Sequence, residues 1–338
     1  MKALVYTDTL EMQYRDEPDP VPGPGEALVK LEAVGICGSD MHAYHGRDSR
    51  RIPPLILGHE AVGVVQNGAQ QGKYVVLNPL MTCGTCDPCQ GGRSNLCAER
   101  ELIGMRLAGA FAQYITIPER NLLDMPQDMD PVIASLAEPA ATALHAIFLA
   151  EKVLHRPLSE CRALVLGGGS IGAFAALMLK GKGCIDVYLG DTNPLRRHTA
   201  ETLGCCKVYD PLGDELPEEN SFDLVIDAVG SGRTRSASCS FVESGGVISH
   251  VGLEDNEPGL DTRRITLEEI TFLGNYTYSA VDLRAAIQAL YGGALGSLDW
   301  VERRPLSDGA AAFREIHEGK AAAPKIVLRP QAQRVLTN

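Results

Sequence analysis

The chain of 338 residues is long enough for two domains, each with its own apolar core. Its formal net charge of -12 argues against a nucleic-acid partner, because contacts to phosphates need clustered Lys and Arg side chains. The sequence has no run of about 18 apolar residues and no signal-peptide pattern at MKALVYTDTL, so it predicts a cytoplasmic protein without membrane contact.

The first part of the chain, to about residue 135, consists of short apolar runs separated by Gly and Pro, such as EALVKLEAVGICG, AVGVVQNG and KYVVLNPL. Alternation of apolar and polar residues is typical of half-buried strands, so we expect a compact, mostly antiparallel β domain. The Ala- and Leu-rich stretch ASLAEPAATALHAIFLAEKVL then predicts a helix that ends before Pro157 and leads into a second domain.

A loop in the first domain carries four closely spaced cysteines. The string TCGTCDPCQGGRSNLC has the pattern C-x2-C-x2-C-x7-C, formed by Cys83, Cys86, Cys89 and Cys97. Four thiolates at this spacing indicate a closed tetrahedral zinc site, which leaves no position for substrate and is therefore structural. Five further cysteines in apolar stretches are expected to be inert core thiols: Cys161, Cys184, Cys205, Cys206 and Cys239.

Strands and helices alternate from RALVLGGG to GGVISHVGL, which predicts a doubly wound parallel sheet and an α/β fold. The last apolar run, KIVLRP, is expected to return to the first domain. We therefore predict a discontinuous first domain of residues 1–142 and 286–338, with a nucleotide-binding domain of residues 143–285 inserted into it.

A glycine motif opens this second domain. Gly167, Gly169 and Gly172 form G-x-G-x-x-G directly after the strand RALVL and before an Ala-rich helix, the context of a dinucleotide site. The first glycine permits a tight turn, the second lets the backbone approach a pyrophosphate, and the third lets the helix pack on the strand. Ser170 and Ile171 lie between them, where N–H groups at the start of the helix face the phosphates.

Asp191 closes the next strand and is placed to accept hydrogen bonds from the adenosine ribose. A carboxylate there repels a 2′-phosphate, so NAD is favoured over NADP. Arg196 and Arg197 leave the alternative open, because either can pair with a 2′-phosphate if Asp191 turns away.

Cys37 in GICGSDMH, His59 and Glu60 in LGHE, and Glu138 in LAEPAATALHA are dispersed, and their spacing does not connect them. Together with the cysteine loop and the glycine motif, these strings resemble the zinc-dependent alcohol and polyol dehydrogenase family. The resemblance covers almost the whole chain and is strongest to the branch of sorbitol, galactitol-phosphate and threonine dehydrogenases.

This resemblance implies a GroES-like β-barrel catalytic domain, a Rossmann domain that binds NAD, and a catalytic zinc ion in the cleft between them. Cys37, His59 and Glu138 match the ligands of that zinc. Glu60 matches a neighbouring glutamate, and both direct ligation and a hydrogen bond to a ligand remain open. One thiolate, one imidazole and one carboxylate leave a position free for a substrate oxygen.

The resemblance also implies a proton relay and cofactor contacts. Ser39 and His42 match the relay that carries a proton from the substrate hydroxyl to water. Thr142, Val229 and Val251 match positions against the cofactor, although a hydroxyl such as that of Thr142 also bonds back to its own helix.

Two departures from sorbitol dehydrogenases concern the substrate pocket. Ala43 and Thr277 stand where those enzymes carry an aromatic residue and an arginine, which leaves the flanking tyrosines as candidates for a reshaped pocket: Tyr44, Tyr276 and Tyr278. A phosphorylated substrate needs a basic cluster at the cleft. Arg47, Arg50 and Arg51 are instead expected to form a solvated loop face.

The leading prediction is an NAD-dependent zinc enzyme that acts on a secondary hydroxyl of a polyol, sugar or sugar-like alcohol, and that forms a homodimer or homotetramer. Glu138 in place of a cysteine makes simple alcohols a weaker alternative. A zinc-free quinone reductase-like protein or a noncatalytic nucleotide-binding protein is the third reading, which the zinc-ligand pattern disfavours.

Overall fold

Short strands make up the first part of the computed structural model, which describes residues 1–331. They are β1 (Lys2–Asp8), β2 (Glu11–Asp16), β3 (Glu26–Gly35), β4 (Leu55–Ile56), β5 (Glu60–Val65), β6 (Tyr74–Leu77), β7 (Leu80–Met81), β8 (Glu101–Leu102), β9 (Tyr114–Pro118) and β10 (Leu122–Asp124). The helices between them are α1 (Gly38–Tyr44) and α2 (Asp87–Gln90). The end of the predicted first domain, 332–338, lies outside the described residues.

Strand β3 shows why this part forms a sheet. Its residues Ala27, Val29, Leu31 and Ala33 are fully buried, whereas the residues between them are partly exposed. Side chains of a strand point alternately to its two faces, so the apolar set covers the core. Strand β3 pairs antiparallel with both β5 and β9, and β5 continues through β6 to β10. Strands β2, β1 and β4 form a smaller sheet, and β7 pairs with β8.

Helices and strands alternate in the second part of the chain. Its elements are α3 (Pro131–Ser135), α4 (Ala137–Glu151), β11 (Arg162–Leu166), α5 (Ser170–Gly181), β12 (Asp186–Gly190), α6 (Pro194–Thr202), β13 (Lys207–Tyr209), β14 (Phe222–Asp227), α7 (Gly232–Phe241), β15 (Val242–His250), α8 (Thr262–Leu267), β16 (Thr271–Gly274), α9 (Ala280–Tyr291), β17 (Val301–Pro305), α10 (Gly309–His317) and β18 (Lys325–Arg329). Short 3-10 turns cover Gly68–Gln70, Ser94–Leu96, Glu119–Asn121, Leu158–Glu160 and Leu306–Asp308. Within residues 1–331, no helix combines the length and apolar character needed to cross a membrane.

The second sheet is parallel and has the strand order β13-β12-β11-β14-β15-β16. Its first strand in the chain, β11, lies in the middle, and the order runs outward from it in both directions. This confirms the predicted doubly wound sheet of a Rossmann domain. The order reverses between β11 and β14, so the loops after these two strands border a crevice at their carboxyl ends, the usual place for a ligand in such sheets.

The chain then returns to the first sheet, where β18 pairs antiparallel with β3 and parallel with β17. Helix α4 packs against α5 and α9, and one apolar cluster contains both Val62 of β5 and Val165 of β11. The predicted domain limits at 142/143 and 285/286 fall inside α4 and α9 and stay predictions.

Candidate functional site

The four cysteines of the predicted structural zinc site lie together. The Sγ atoms of Cys83, Cys86, Cys89 and Cys97 are all within 4.8 Å of one another. The Sγ atom of Cys83 is 4.0 Å from that of Cys89 and 3.6 Å from that of Cys97. Four sulfurs at the usual zinc distance of about 2.3 Å, in a tetrahedron, are about 3.8 Å apart. The spacing of the thiols therefore fits a zinc ion.

Backbone N–H groups in the loop favour the thiolate form of these ligands. The Cys86 N–H points to the Sγ atom of Cys83 at 3.4 Å, and the Cys83 N–H points to that of Cys97 at 3.5 Å. Hydrogen bonds from the N–H groups of Thr85 and Cys86 lower the pKa of the Cys83 thiol to about 6. A thiol that ionises at neutral pH is suited to bind a metal.

Replacement of Cys89 with Ser is expected to remove about one of about two zinc ions per chain and to lower the melting temperature by several degrees. Loss of a structural metal is among the few changes that destabilise by roughly 3 kcal/mol or more. Cys205→Ser, which removes a half-buried thiol outside the loop, serves as the control and keeps the zinc content. Metal analysis and thermal melting measure both effects, and an unchanged zinc content in Cys89→Ser contradicts the assignment.

A second group of ligands forms where β3 and β5 pair. Cys37 caps the start of α1 just after β3, and His59 immediately precedes β5. The strands pair in a register that sets Gly35 opposite Glu60, so these segments meet although they are far apart in sequence. Ligand atoms of Cys37, His59 and Glu60 all lie within 4.8 Å of one another.

The His59 imidazole is buried, and its Nδ1 atom has no hydrogen-bond partner among residues 1–331. This atom is 3.5 Å from the buried Oδ1 atom of Asp40, and that oxygen likewise lacks a hydrogen-bond partner in the described part of the chain. The other oxygen of Asp40 accepts a hydrogen bond from the Cys37 N–H at 3.0 Å. A carboxylate that faces an imidazole in this way is typical of histidines that bind metal, since it fixes their orientation.

Glu60 is held by a residue that sequence reasoning missed. Lys325, the first residue of β18, donates from Nζ to both carboxylate oxygens of Glu60 at 2.7 Å and to the Ile36 carbonyl at 2.7 Å. Both side chains are fully buried. Lys325 therefore competes with any metal ion for Glu60.

Glu138 lies beside the group of three ligands and not within it. It sits in the first turn of α4, and burial raises its pKa to about 7 while the neighbouring charges of His59 and Glu60 act in opposite directions. Lys325 and the buried Tyr278 are further neighbours of its carboxyl group. The predicted ligand set thus divides into Cys37, His59 and Glu60, which are in contact distance of one ion, and Glu138, which borders them.

Arg51 contradicts the expectation of a solvated loop face, because it is only 3% exposed. Its guanidinium forms an ion pair with Asp48 at 2.6 Å and donates to the Gly104 carbonyl at 2.8 Å. It also donates to the backbone carbonyl of Ser39 at 3.2 Å and to the Oγ atom at 3.3 Å. The Arg51 guanidinium can be buried because Gly104 and Ser39, in other segments of the chain, accept its hydrogen bonds.

The other two arginines of this loop are exposed and paired. Arg47 forms an ion pair with Glu254 at 3.0 Å, and Arg50 forms one with Asp48 at 2.8 Å. His42 lies in the last turn of α1 and is half-buried.

The glycine loop has the geometry that a dinucleotide needs. Gly167 has a φ of +102°, and a Cβ atom there would lie 2.6 Å from Val229. A Cβ on Gly172 would lie 1.8 Å from the Gly167 carbonyl oxygen, so the helix packs as closely as glycine allows. A Cβ on Gly169 would meet nothing within 4 Å. Helix α5 begins with Ser170 and Ile171 and has no side-chain cap within the described residues, which leaves its first N–H groups suited to bind phosphates.

The Asp191 carboxylate is 8% exposed and shapes the loop beside β12. It accepts hydrogen bonds from the N–H groups of Gly168 and Asn193, each at 2.7 Å. The nearest Arg196 nitrogen is 4.0 Å from this carboxylate, and the buried Nε atom of Arg196 has no hydrogen-bond partner within the described residues. Arg197 instead forms an ion pair with Asp210 at 2.8 Å.

The remaining predicted cofactor residues border the crevice or its helix. The backbone N–H of Val229 donates to a carboxylate oxygen of Asp227 at 3.0 Å, and that of Val251 donates to the Asp227 carbonyl at 2.9 Å. The fully buried Asp227, which was missed from the sequence, thereby ties together the loops after β14 and β15. The sequence feature that could have revealed Asp227 is a carboxylate at the end of an apolar strand. Thr142 donates its hydroxyl to the Glu138 carbonyl at 3.3 Å, within its own helix.

The three candidate pocket tyrosines differ in their surroundings. Tyr44 packs in the β-sheet core, with its ring 5.4 Å from that of Phe313. Tyr276 lies under the Arg100 guanidinium, 4.7 Å from the ring centre, and its carbonyl accepts a hydrogen bond from Asn95 at 2.9 Å. Of these three tyrosines, Tyr278 is the one whose hydroxyl lies beside Glu138.

Comparisons with known proteins agree with this architecture. Residues 23–127 match the family model of the alcohol dehydrogenase GroES-like domain, and residues 170–291 match that of the zinc-binding dehydrogenases. An L-galactonate-5-dehydrogenase of Escherichia coli is 32% identical over 81% of this chain and 83% of its own length. An L-threonine 3-dehydrogenase of Stenotrophomonas maltophilia is 31% identical over 97% of this chain and 99% of its own.

The chain belongs to the zinc-dependent medium-chain dehydrogenase family.

The solved structure of a zinc-binding dehydrogenase of Sinorhizobium meliloti, bound to NADP, is similar in fold, with a TM-score of 0.83. It is 29% identical, and the match covers 97% of this chain and 99% of that one. The predicted GroES-like and Rossmann fold, the zinc ions and the nicotinamide cofactor of this medium-chain dehydrogenase are thereby confirmed as properties of its family. The chain belongs to a family of zinc-containing oxidoreductases. This excludes the alternatives of a zinc-free quinone reductase-like protein and of a noncatalytic nucleotide-binding protein.

Proposed function

We propose that this dehydrogenase oxidises a secondary hydroxyl of a polyol, sugar or sugar-derived acid and uses NAD. The observation that carries the proposal is the donor set beside α1 and α4: one thiolate, one imidazole and buried carboxylates within one pocket. A carboxylate in place of a second thiolate is a harder donor, which leaves the metal a stronger Lewis acid for a hydroxyl substrate.

In this proposal Cys37, His59 and Glu138 hold the catalytic zinc, because Lys325 already binds both carboxylate oxygens of Glu60 and keeps Glu60 beside the ion. Cys83, Cys86, Cys89 and Cys97 hold the structural zinc. When bound, the catalytic zinc supplies Lewis acidity to the substrate hydroxyl and the nicotinamide ring accepts the hydride.

Two residues of α1, Ser39 and His42, are proposed to carry the proton of the substrate hydroxyl to solvent. The Ser39 Oγ atom accepts a hydrogen bond from Arg51, and since a guanidinium only donates, the Ser39 hydroxyl hydrogen is free to point elsewhere. Ser39 would take up the proton that the substrate hydroxyl loses while giving up its own hydroxyl proton, and His42, three residues further along the helix, would pass a proton on to solvent. The crevice residues Gly167 to Gly172, with Thr142, Val229 and Val251, position the cofactor.

The charge of the pocket supports an uncharged or weakly charged substrate. Arg47, Arg50 and Arg51 each have a carboxylate partner, so the loop offers no unpaired cation for a phosphate. The L-galactonate relative acts on a sugar acid by its name, and the L-threonine relative on an amino acid. Both compounds belong in any substrate panel.

The test is the reduction of NAD by the zinc-loaded enzyme with polyols, sugars, sugar acids, L-threonine and simple primary alcohols, and NADP in parallel. We expect secondary hydroxyls of polyhydroxylated compounds to give the highest kcat/KM. If the enzyme holds about two zinc ions per chain and no compound reduces either cofactor, the proposal is wrong.

The preference for NAD is tested by Asp191→Ala. Because a hydrogen bond to a charged group is worth about 1.5–3 kcal/mol, the KM for NAD should rise at least about ten-fold while the use of NADP improves. Asp186→Asn is the control, since Asp186 lies at the opposite end of the same strand and pairs with Lys207 at 2.7 Å. A cofactor ratio equal to that of the unchanged enzyme refutes the role of Asp191.

We further propose a cytoplasmic homodimer or homotetramer. The ten free cysteines support a reducing compartment. Strand β16 supports self-association, because its outer edge pairs with no strand among residues 1–331 and such edges accept a strand of another chain.

A further inference from the structure

Two histidines meet at the surface where α1 and α10 end. His45 follows the last residue of α1, and His317 is the last residue of α10. The Nε2 atom of His45 lies 3.0 Å from the Nδ1 atom of His317. Neither residue belongs to the zinc-ligand groups described above, and the proposed function uses neither imidazole. The pair is therefore a separate cluster of metal-ligating side chains.

The packing beneath the pair holds both rings in place. The centre of the buried Tyr44 ring lies 5.4 Å from that of Phe313 and 6.1 Å from that of His317, so α1 and α10 interlock at this point. The centre of the His45 ring is 5.9 Å from that of Tyr44 and 5.0 Å from that of His317. The backbone N–H of His45 donates to the Met41 carbonyl at 2.9 Å. Side chains that are already ordered lose little further freedom when they bind an ion.

The distance between the two nitrogens matches that of two ligands on one metal ion. At a metal–nitrogen distance of about 2.1 Å, neighbouring ligand atoms are about 3.0 Å apart in an octahedral site and about 3.4 Å apart in a tetrahedral one. The two rings form a hydrogen bond, in which one nitrogen donates and the other accepts. When an ion takes the place of this hydrogen, the hydrogen moves to the other nitrogen of the donating ring, and both rings bind as neutral imidazoles.

The charges around the pair favour the neutral form of His45. Burial of this half-buried ring lowers its pKa, and the charges of His317 and Arg47 act in the same direction. The Glu254 carboxylate opposes them, but it forms an ion pair with Arg47 at 3.0 Å. Because a metal ion binds the neutral imidazole, His45 is available as a ligand at neutral pH.

We propose that His45 and His317 form a third metal site, which binds a divalent transition-metal ion and joins the end of α1 to that of α10. Imidazole ligands suit Ni²⁺, Cu²⁺ and Zn²⁺, whereas Mg²⁺ prefers oxygen ligands. Within residues 1–331 the pair belongs to no group of three ligand atoms that lie within 4.8 Å of one another, so water fills the other positions of the ion. The ion is therefore held more weakly than the two zinc ions and exchanges with the solvent.

The test is a calorimetric titration of the zinc-loaded enzyme with Ni²⁺, combined with measurements of both metals and of the melting temperature. We expect about one Ni²⁺ to bind per chain while the zinc content stays at about two. The melting temperature should rise, because the ion binds the folded chain, in which the two helix ends meet. Mg²⁺ should produce neither binding heat nor a shift in melting temperature.

His317→Gln is the decisive variant, since His317 is exposed and its replacement leaves the buried core unchanged. It should weaken Ni²⁺ binding at least about ten-fold, because even the loss of a residue that only supports a ligand costs about 10–100-fold in metal affinity. His45→Gln should have the same effect. His198→Gln is the matched control: its imidazole is 80% exposed and faces the Glu201 carboxylate at 3.5 Å instead of a second imidazole. This control should bind Ni²⁺ like the unchanged enzyme.

Equal Ni²⁺ affinity in His317→Gln, His45→Gln and the unchanged enzyme overturns the third site. A loss of zinc that matches the nickel gained overturns it as well, because the nickel then occupies the resident zinc sites. The experiment contains neither an alcohol nor a nicotinamide cofactor, so its result is independent of the proposed function. A protein that oxidises no compound of the substrate panel still binds the third ion if this inference is correct.

Discussion

Replacing Lys325 with Met is expected to lower the free energy of unfolding by about 3–5 kcal/mol, the usual cost of removing one partner from a buried ion pair. The Lys325 ammonium group donates to both oxygens of Glu60 at 2.7 Å, and both side chains are fully buried. Without Lys325, the Glu60 carboxylate stays buried with its charge uncompensated. Chemical denaturation of the purified enzyme measures the loss.

Lys320 offers a matched control a few residues away. It forms an ion pair with Glu318 at 2.6 Å, but its side chain is 70% exposed. Lys320→Met should therefore change stability by less than about 1 kcal/mol. The double variant Lys325→Met with Glu60→Gln should recover most of the loss, because it removes the unpaired charge. A loss of equal size in the single and double variants would show that packing, and not charge, makes Lys325 important.

Replacing His59 with Ala is expected to remove about one of about two zinc ions per chain and to lower kcat/KM at least about a thousand-fold. A loss of about 4 kcal/mol of transition-state stabilisation corresponds to such a factor, and Lewis acidity supplies several kcal/mol. The imidazole is buried beside Cys37 and Asp40, and it supplies the imidazole ligand in the group of Cys37, His59 and Glu60.

The control for this change is His198→Ala, which removes an imidazole that is 80% exposed on α6. It should retain the zinc content and the activity. Metal analysis and steady-state kinetics are carried out on the same preparations, with thermal melting to verify that both variants are folded. Full zinc content in His59→Ala would refute its role as a ligand.

The cysteine loop and the glycine motif could be predicted from the sequence because the spacing of their residues determines how close they lie in the structure. The four cysteines share one short loop, so their thiols are bound to come close together, and the glycine motif follows a strand and opens a helix. The alternation of apolar runs likewise predicted both sheets. In each case neighbours in sequence determine the outcome.

The dispersed features could not be read in this way. The link between Cys37 and His59 depends on the pairing of β3 with β5, and only the family resemblance connected these residues beforehand. Arg51 was misjudged because its loop, RDSRR, is polar, while the acceptor groups that bury its guanidinium belong to other segments. The left-handed conformation of Thr277 has no sequence signal, since β-branched residues normally avoid it.

The role of Lys325 could not be predicted from the sequence either. In KIVLRP it reads as the charged first residue of an edge strand, yet β18 lies between β3 and β17 and turns this side chain inward. No pattern within the strand distinguishes the two situations. Lys325 is buried because Glu60 is available as its partner inside the protein.

The pairing of β18 with β3 also determines when the active site is finished during synthesis. Lys325 and Glu60 are separated by 265 positions, so the carboxylate beside the zinc ligands leaves the ribosome long before its counterion does. A nascent chain that has not yet made β18 lacks the cation that neutralises Glu60, and bringing the two residues together requires the closure of a very long loop. The charge balance beside the zinc ligands is therefore completed late, after the cofactor domain has been made, and a chain shortened before β18 lacks the counterion of Glu60.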